Sequence, residues 1–529
     1  MVFSALDKSV SKKGGVRIVQ ADFLDRRAFL KAAGAAAVLG LGGSVKAAGL
    51  GDGGKRRAPS KRPNFVFFLI DDMGWADLGC YGSTFYETPN VDRLAAQGMR
   101  FTNAYAACPV CSPTRASIMT GKYPARLGIT QWIGGPQTPT AYREYMPLEE
   151  VTIAEALKEA GYATGFVGKW HLSTRDETRR TYYPDRQGFD VNIGGDWSGA
   201  PPTYFYPYER RNRKLETMPE GGKKGEYLTD RLTDEAVKFL QAQKDKPFLL
   251  YLSHYAVHTP LESKKELADK YKAKAEDLPE PAGPHAKGVY GRYKTRMVQD
   301  HAVYAGMVQS VDESVGRVLD KLEELGLDDN TVVIFMSDNG GLSTVGREGP
   351  TCNLPLRAGK GWLYEGGIRE PMLIKWPGVA KSGSVCHEPV TSTDFYPTML
   401  EMAGLPRRPG QHADGLSLVP LLKRTGTLRR DAIYWHYPHY HGSGNRPSGA
   451  LRAGDYKLIE WYEDGHVELY NLKNDIGEQN DLANRMPLKA AELRRMLHAW
   501  RDEMNARMPE GEPRDDYPTW VASRKHAAR

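Results

Sequence analysis

Cysteine, proline and arginine alternate in a short segment that leads into helix-forming residues. Cys111 is followed by Pro113 and Arg115, the helix formers begin at Ala116, and Gly121 follows them. Because proline is tolerated in the first turn of a helix and glycine often ends one, the pattern predicts a helix with Cys111 near its N-terminus. The unpaired N–H groups at that end acidify a thiol and suit a nucleophile that must meet an anion. A buried structural cysteine in a proline-containing loop is the alternative interpretation.

Acidic and amide side chains follow two apolar segments that we predict to be buried strands of a parallel sheet. Segments 64–70 and 331–336 are closely followed by Asp71, Asp72, Asp338 and Asn339. Adjacent buried carboxylates repel each other unless a cation lies between them, and open sheets place their sites at the carboxyl ends of parallel strands. Hard divalent cations prefer these oxygen ligands, so we predict one Ca²⁺ site, with Mg²⁺ as the alternative ion. Ordinary turns, or an Asp that caps the next helix, would explain each pair separately.

Lysine and histidine side chains follow further predicted strands. Lys169 and His171 come after a strand predicted at 163–167, and His258 comes after another at 247–252. An imidazole at His258 can protonate a leaving alkoxide. A single Lys or His at a strand end is usually a surface group, so these residues are significant only in combination.

In combination, these segments resemble the motifs of the formylglycine-dependent sulfatases, a family of the alkaline phosphatase superfamily. The matching motifs are Cys-x-Pro-x-Arg at 111–115, Gly-Lys-Trp-His-Leu at 168–172, His-Thr-Pro-Leu at 258–261, and the segment 356–371 that contains Lys360. They occur in the family's order, and the resemblance extends over residues 63–510. It implies a sulfuric ester hydrolase of the arylsulfatase type.

The resemblance implies how the nucleophile is made and held. A formylglycine-generating, sulfatase-maturing enzyme would read Pro113 and Arg115 and oxidise Cys111 to an aldehyde. The hydrated aldehyde would complete the metal site and attack sulfur, activated by the metal and Asp338 and held by Arg115. A serine in its place would form a stable sulfate ester and stall.

The resemblance also implies which side chains hold the sulfate and the leaving group. Lys169 and His171 would contact the transferred sulfate, and His171 would accept a proton as sulfate is expelled. Lys360 would bridge the sulfate and the leaving oxygen and, with His258, would assist the departing alcohol. A cation, two lysines and an arginine around one anion would neutralise the charge that develops on the oxygens.

The succession of elements predicts an α/β fold. Helices alternate with buried strands, which favours a large, mixed but mostly parallel sheet covered by helices on both faces. After residue 425 the pattern changes to antiparallel strands at 432–437, 451–462 and 467–472, followed by a helix at 488–504. By the resemblance, this is an alkaline-phosphatase-like catalytic domain at 63–425, a small C-terminal α+β subdomain at 426–510 and a tail at 511–529.

A loop rich in aromatic and imidazole groups lies between the C-terminal strands. Such groups suit stacking on a sugar and hydrogen bonding to it, and the candidates are His436, His439, Tyr440, His441 and Arg446. A structural role for each is an equal alternative. Together with the Tyr- and Arg-rich segment 173–235, which we predict to be a loop region over the site, they favour a sulfated carbohydrate substrate. We expect a 6-O or 4-O sulfate, with a galactose-type sugar favoured.

The charge distribution argues against nucleic acid as a partner. The chain of 529 residues has a formal charge of +7, but the first 62 residues hold thirteen Lys and Arg against four Asp and Glu. The remainder is therefore slightly acidic. The five cysteines are odd in number and widely spaced, which is typical of a protein that does not depend on disulfides, and pairing among Cys80, Cys108, Cys352 and Cys386 stays open.

The N-terminal segment resembles a twin-arginine export signal. Arg26 and Arg27 precede an apolar run at 32–43 and small residues at 45–48. We therefore predict a signal peptide at 1–48, a flexible linker at 49–62, passage through the Tat export machinery, and a periplasmic or extracellular location. The apolar run is short for a bilayer, so a stable membrane span is the less favoured alternative.

Two other functions remain open at this point. A formylglycine-dependent phosphonate or phosphodiester hydrolase would share the nucleophile and the metal ligands. A non-catalytic protein that binds sulfated glycans would require Cys111 to remain unconverted.

Overall fold

The structure is a computed structural model that describes residues 62–278, 285–288, 291–345 and 349–512. The predicted signal peptide, all but the last residue of the predicted linker, and most of the predicted tail lie outside these residues. Within the described chain, no helix combines the length and the apolar character needed to cross a membrane.

The described chain contains eighteen strands, which are, in order, β1 (Asn64–Ile70), β2 (Met99–Tyr105), β3 (Ala163–Gly168), β4 (Val191–Ile193), β5 (Glu209–Arg210), β6 (Arg213–Lys214), β7 (Phe248–Ser253), β8 (His285–Gly288), β9 (Gly291–Arg296), β10 (Thr331–Ser337), β11 (Thr344–Val345), β12 (Arg369–Lys375), β13 (Ser384–Cys386), β14 (Val390–Thr391), β15 (Ile433–Tyr437), β16 (Ser448–Ala453), β17 (Tyr456–Trp461) and β18 (Val467–Asn471). The α-helices of the same residues are α1 (Pro89–Gln97), α2 (Cys111–Thr120), α3 (Pro124–Leu127), α4 (Ile153–Glu159), α5 (Leu228–Gln243), α6 (Lys265–Glu276), α7 (Ala302–Glu324), α8 (Glu365–Ile368), α9 (Phe395–Met402), α10 (Val419–Leu422) and α11 (Pro487–Met504).

Nine strands form the central sheet, in the order β13-β2-β12-β10-β1-β7-β3-β4, with β14 also paired to β2. Strands β10, β1, β7, β3 and β4 are parallel, whereas β12 runs antiparallel to β10 and to β2. Alternate side chains of β1, such as Phe67 and Phe68, enter two separate apolar clusters, one on each face. Helices α4 and α9 pack on one face, and α5 and α7 pack on the other. The predicted helix-covered, mostly parallel sheet is confirmed.

A smaller antiparallel sheet follows, in the order β15-β16-β17-β18, with α11 packed against it through Leu493 and Leu497. This confirms the expected C-terminal α+β part. The single strand predicted at 451–462 is wrong, because the chain turns at Gly454 and forms two strands, β16 and β17. Gly454 has a φ of +60°, a conformation that glycine adopts without steric cost.

Candidate active site

The carboxyl ends of the parallel central strands bring the acidic segments together. Ile70 pairs with Ser337 where β1 lies beside β10, so the residues after both strands are neighbours. The Asp72 amide donates to Asp338 Oδ1 at 3.2 Å, and Asn339 Nδ2 donates to Asp72 Oδ1 at 2.8 Å. Oxygen-bearing side chains from segments far apart in the sequence therefore meet at one edge of the sheet.

Cys111 is the first residue of α2, and its side chain is buried beside these carboxylates. One ligand atom each from Cys111, Asp71 and Asp338 lies within 4.8 Å of the others. The expectation of an acidified thiol is wrong. Burial raises the pKa of Cys111 above its ordinary value and outweighs the attraction of Lys169 and Lys360. The unmodified cysteine is therefore a poor thiolate nucleophile.

Three cationic side chains face the three carboxylates at short N···O distances. The pairs are Lys169 Nζ with Asp71 Oδ2 at 2.7 Å, Lys360 Nζ with Asp72 Oδ1 at 2.6 Å, and Arg115 Nη2 with Asp338 Oδ2 at 2.7 Å. All six side chains are buried. Because the formal charges of the pairs cancel, an added divalent cation would make the site positive and attract an anion.

The donor set fits a hard divalent cation. Asp71 Oδ1 and Asn339 Oδ1 are buried and receive no hydrogen bond within the described residues. Burial raises the pKa of Asp71 against the opposing effect of Lys169, so this carboxylate lacks sufficient counter-charge from the protein alone. Carboxylate and amide oxygens are the ligands that Ca²⁺ and Mg²⁺ take. The residues present therefore suit the predicted ion.

His171 is oriented toward position 111 by its backbone partner. Its Nε2 lies 3.0 Å from the Ile133 carbonyl oxygen, and its Nδ1 lies 3.3 Å from Cys111 Sγ. Because a carbonyl only accepts, Nε2 carries the hydrogen and Nδ1 presents its lone pair to the side chain of residue 111. Burial, reinforced by Lys169, lowers the pKa of His171 well below its ordinary value. The imidazole is therefore neutral and available as a proton acceptor.

His258 and Lys360 both lie beside Asp72, with different protonation. Burial and Lys360 lower the pKa of His258 to about 3, and its Nε2 lies 3.6 Å from Asp72 Oδ2. Burial opposes the charge of Lys360, but Asp72, Cys111 and Asp71 together outweigh burial and raise the pKa of that lysine. At neutral pH Lys360 is thus charged and His258 is not. Of the two predicted leaving-group donors, Lys360 is the one that carries a proton before substrate binds.

Ser253 is a residue of this site that the sequence analysis missed. Its Oγ accepts a hydrogen bond from Arg115 Nη1 at 2.7 Å and donates to the Lys169 carbonyl at 2.8 Å. It ends β7 in register with Gly168 of β3. Like Asp71, Ser253 follows a run of apolar residues, and this position was the only sign of it in the sequence. A single serine at such a position does not by itself predict a functional site.

The residues predicted to contact sugar are mostly committed to internal contacts. His436 bonds the Tyr462 hydroxyl and the Arg507 carbonyl, His439 bonds Thr130, Tyr440 donates to Glu463, and Arg446 pairs with Glu463. All four are buried. His441 alone is half-buried, and it packs against Gly361, next to Lys360. The other four are at most 8% exposed, so His441 is the predicted sugar contact that the structure leaves most accessible.

Glu370 is a buried carboxyl group to which the sequence analysis gave no role. It is 0% exposed, and neither of its oxygens has a hydrogen-bond donor within the described chain. Burial raises its pKa well above the ordinary 4.5. The folded protein therefore binds a proton that the unfolded chain releases, and stability falls as pH rises above 4.5 toward the folded-state pKa.

We expect Glu370→Gln to remove this pH dependence, because the amide never ionises. The variant should match the wild type near about pH 4 and exceed it by about 1–3 kcal/mol in free energy of unfolding near about pH 8. Thermal or denaturant unfolding across this pH range measures the difference. A difference that does not grow with pH would contradict a protonated Glu370.

Comparison with known proteins identifies the family. The sulfatase family model matches residues 63–405, and the model of the C-terminal part of N-sulphoglucosamine sulphohydrolase matches residues 358–506. A sulfatase of Formosa agariphila is 33% identical, over 85% of this chain and 91% of that protein. Human N-acetylgalactosamine-6-sulfatase is 35% identical, over 70% of this chain and 68% of that protein.

A solved structure shows the same architecture. The crystal structure of Ps i-CgsB superposes with a TM-score of 0.68 at 31% sequence identity, covering 83% of this chain and 93% of that one. The family match spans more than half of the chain, and Cys111 at the start of α2 lies beside the carboxylates that follow the strands. The chain belongs to the sulfatase family of the alkaline phosphatase superfamily and is a sulfuric ester hydrolase.

Proposed function

We propose that this enzyme hydrolyses O-sulfate esters on carbohydrates, with a galactose-type sugar favoured, by means of formylglycine at position 111 and one divalent cation. The observation that carries the proposal is the meeting of Cys111, Asp71 and Asp338 within 4.8 Å. Ca²⁺ is the proposed ion, with Mg²⁺ as the alternative, held by residue 111 and by Asp71, Asp72, Asp338 and Asn339. When bound, it would neutralise charge on the sulfate oxygens.

The side chains around position 111 suit a nucleophile that must be regenerated. A formylglycine hydrate would supply one hydroxyl to attack sulfur and a second whose deprotonation expels sulfate. His171 Nδ1, 3.3 Å from the side chain of residue 111, is placed to hold that proton. Arg115 is fixed by Asp338 and Ser253 and can hold the attacking oxygen in line.

The leaving group would receive its proton from a different side chain. Lys360 is charged and lies beside Asp72, and it can donate to the departing alkoxide. Lys169 would bind a sulfate oxygen. His258 would take part as a donor once the anionic substrate raises its pKa, because an opposite charge favours the protonated imidazole.

Names of relatives support a carbohydrate sulfate as substrate. Human N-acetylgalactosamine-6-sulfatase is 35% identical, and Ps i-CgsB has been solved in complex with k-i-k-neocarrahexaose. BT4656, 25% identical with a TM-score of 0.65, has been solved with D-glucosamine-2-N,6-O-disulfate. A panel of defined sulfated mono- and oligosaccharides tests the proposal. Hydrolysis of small aryl sulfates with no activity on any of these sugars would defeat it.

The phosphonate or phosphodiester alternative rests on fold alone. The phosphonate monoester hydrolase of Agrobacterium radiobacter superposes with a TM-score of 0.62 at 20% identity. Comparison of kcat/KM for an aryl sulfate and an aryl phosphodiester separates the two, and a higher value for the diester would favour that alternative.

We also propose the partners implied by the nucleophile and by the N-terminal segment. A formylglycine-generating enzyme would convert Cys111, and the Tat machinery would export the folded protein to the periplasm or beyond. Mass analysis of the peptide that contains residue 111, from natively produced protein, tests the conversion. Fractionation of cells that express an Arg26→Lys, Arg27→Lys variant tests the export route.

We expect His441→Ala to raise KM for a sulfated sugar about 10-fold, which corresponds to one lost hydrogen bond. His441 Nδ1 is held 2.7 Å from Ser443 Oγ, which leaves Nε2 for the substrate. Steady-state kinetics on a sulfated sugar and on a small aryl sulfate measure the effect, and the aryl sulfate should be little affected. His439→Ala is the matched control, because buried His439 bonds Thr130 and should affect stability only. Equal losses on both substrates would refute the sugar contact.

A further inference from the structure

Two indole rings and two guanidinium groups form a cluster that we call the Trp–Arg platform, composed of Trp132, Arg175, Trp197 and Arg213. Arg175 Cζ lies 5.8 Å from the ring centroid of Trp132 and 5.7 Å from that of Trp197, so both indoles contact one guanidinium. Arg213 Cζ lies 5.7 Å from the Trp197 centroid. Both arginines are exposed and both tryptophans are half-buried.

The platform is held in place by its surroundings. Trp197 Nε1 donates to Glu216 Oε1 at 3.1 Å, and Glu216 is itself bound to Arg179 at 2.9 Å. Arg175 packs over Gly134, where a Cβ atom would come within 2.1 Å of its Cζ. The hydrogen bond to Glu216 holds the Trp197 indole in place without substrate, which lowers the ordering cost of binding.

Neither arginine of the platform has a direct carboxylate partner among the described residues. Within the described residues, neither Arg175 nor Arg213 forms an ion pair with a carboxylate. A guanidinium that makes cation–π contacts keeps its N–H donors, and these match the oxygens of sulfate or carboxylate in a paired geometry. An exposed cationic cluster of this kind suits an anionic ligand.

The platform adjoins the nucleophile position through His171. The His171 amide donates to the Asp196 carbonyl at 3.3 Å, and Trp197 is the next residue. His171 Nε2 donates to the Ile133 carbonyl at 3.0 Å, and Trp132 is the preceding residue. Each tryptophan is therefore the sequence neighbour of a residue whose backbone carbonyl binds His171. The imidazole of His171 in turn lies 3.3 Å from Cys111 Sγ.

We propose that the Trp–Arg platform binds a second anionic sugar residue of the glycan whose sulfate is hydrolysed. Indole rings stack on the apolar faces of sugars, while Arg175 and Arg213 bind a sulfate or a carboxylate on the neighbouring residue. The chain then has room to continue, because Thr174 and Asp176, which flank Arg175, line a surface cleft of about 440 Å³ together with Tyr145 and Tyr182. The inference rests on the proposed carbohydrate sulfatase function and makes an oligosaccharide with a second charge the preferred substrate.

The test compares kcat/KM for three disaccharides that share the same scissile sulfate: one with no second charge, one with a second sulfate and one with a uronate. The wild type should favour at least one charged disaccharide about 10- to 100-fold, as expected for a charge-assisted hydrogen bond. Arg175→Gln should abolish this preference and leave aryl sulfate turnover unchanged. Arg186→Gln is the matched control, because Arg186 is an exposed arginine nearby in the sequence that pairs with Asp185 and not with the platform, and it should keep the preference. Preference for the second sulfate or for the uronate identifies the anion.

Each outcome decides the inference. An equal preference in the wild type and Arg175→Gln, or no preference in either, would overturn the platform while leaving the carbohydrate proposal intact. Hydrolysis of aryl sulfate with no turnover of any disaccharide would overturn both. Because Arg175 is exposed, its substitution should leave the melting temperature unchanged, and Arg213→Gln provides a second variant.

Discussion

Cys111→Ala should lower kcat/KM for an aryl sulfate by at least about 10⁴-fold, as is typical when a catalytic nucleophile is removed. The Cys111 side chain is buried within 4.8 Å of Asp71 and Asp338, where the charged groups converge. Alanine offers no atom that can attack sulfur or be oxidised to an aldehyde. Steady-state assays of protein produced with a sulfatase-maturing enzyme measure the effect, and more than trace turnover would contradict the assigned nucleophile.

Cys108→Ala is the matched control, since Cys108 is a buried cysteine of the same segment that belongs to an apolar cluster. We expect it to reduce stability modestly while activity stays within a few-fold of the wild type. Cys111→Ser provides a second check. Its hydroxyl can accept sulfate once, but the ester lacks a second hydroxyl to expel the sulfate, so a single turnover with a stable covalent adduct is expected.

Asp338→Asn should remove the bound divalent cation and lower kcat/KM by about 10³-fold, the scale reported for loss of one preorganised electrostatic contact. Asp338 Oδ2 pairs with Arg115 at 2.7 Å, and Oδ1 accepts the Asp72 amide at 3.2 Å. Asparagine preserves the shape but not the charge, so both the ion and Arg115 lose their partner. Elemental analysis and an aryl sulfate assay, with and without added Ca²⁺, measure the two losses.

Glu370→Gln is the control for removal of a nearby carboxyl group. Because burial keeps Glu370 protonated, the substitution changes no charge, and metal content and activity should be retained. A chelator should suppress the wild type to the level of Asp338→Asn. Full activity of the wild type in excess chelator, or one tightly bound ion per chain in Asp338→Asn, would refute the metal site.

The sequence alone determined the fold class and the strand ends that carry chemistry. Apolar runs such as 64–70 are long, unbroken and followed by polar residues, so their burial on both faces of a sheet is a local property of the pattern. The helix that starts at Cys111 was equally local, because proline fits the first turn of a helix and glycine adopts the left-handed conformation that ends one. Asp71 and Asp338 could be predicted to be neighbours because the carboxyl ends of parallel strands lie at the same edge of a sheet.

The behaviour of these groups depends on contacts between segments that are distant in the sequence. The raised pKa of Cys111 depends on complete burial, which no nearby sequence encodes. Two of the residues predicted to bind sugar are instead held inside the protein by hydrogen bonds. Tyr440 bonds Glu463, and His439 bonds Thr130, which lies 309 residues earlier in the chain. Likewise, Trp132 and Trp197 both contact the Arg175 guanidinium, although the three residues belong to separate segments of the chain. The type of a residue can be read from the sequence directly. Its burial and the direction of its side chain depend on which distant segments pack against it.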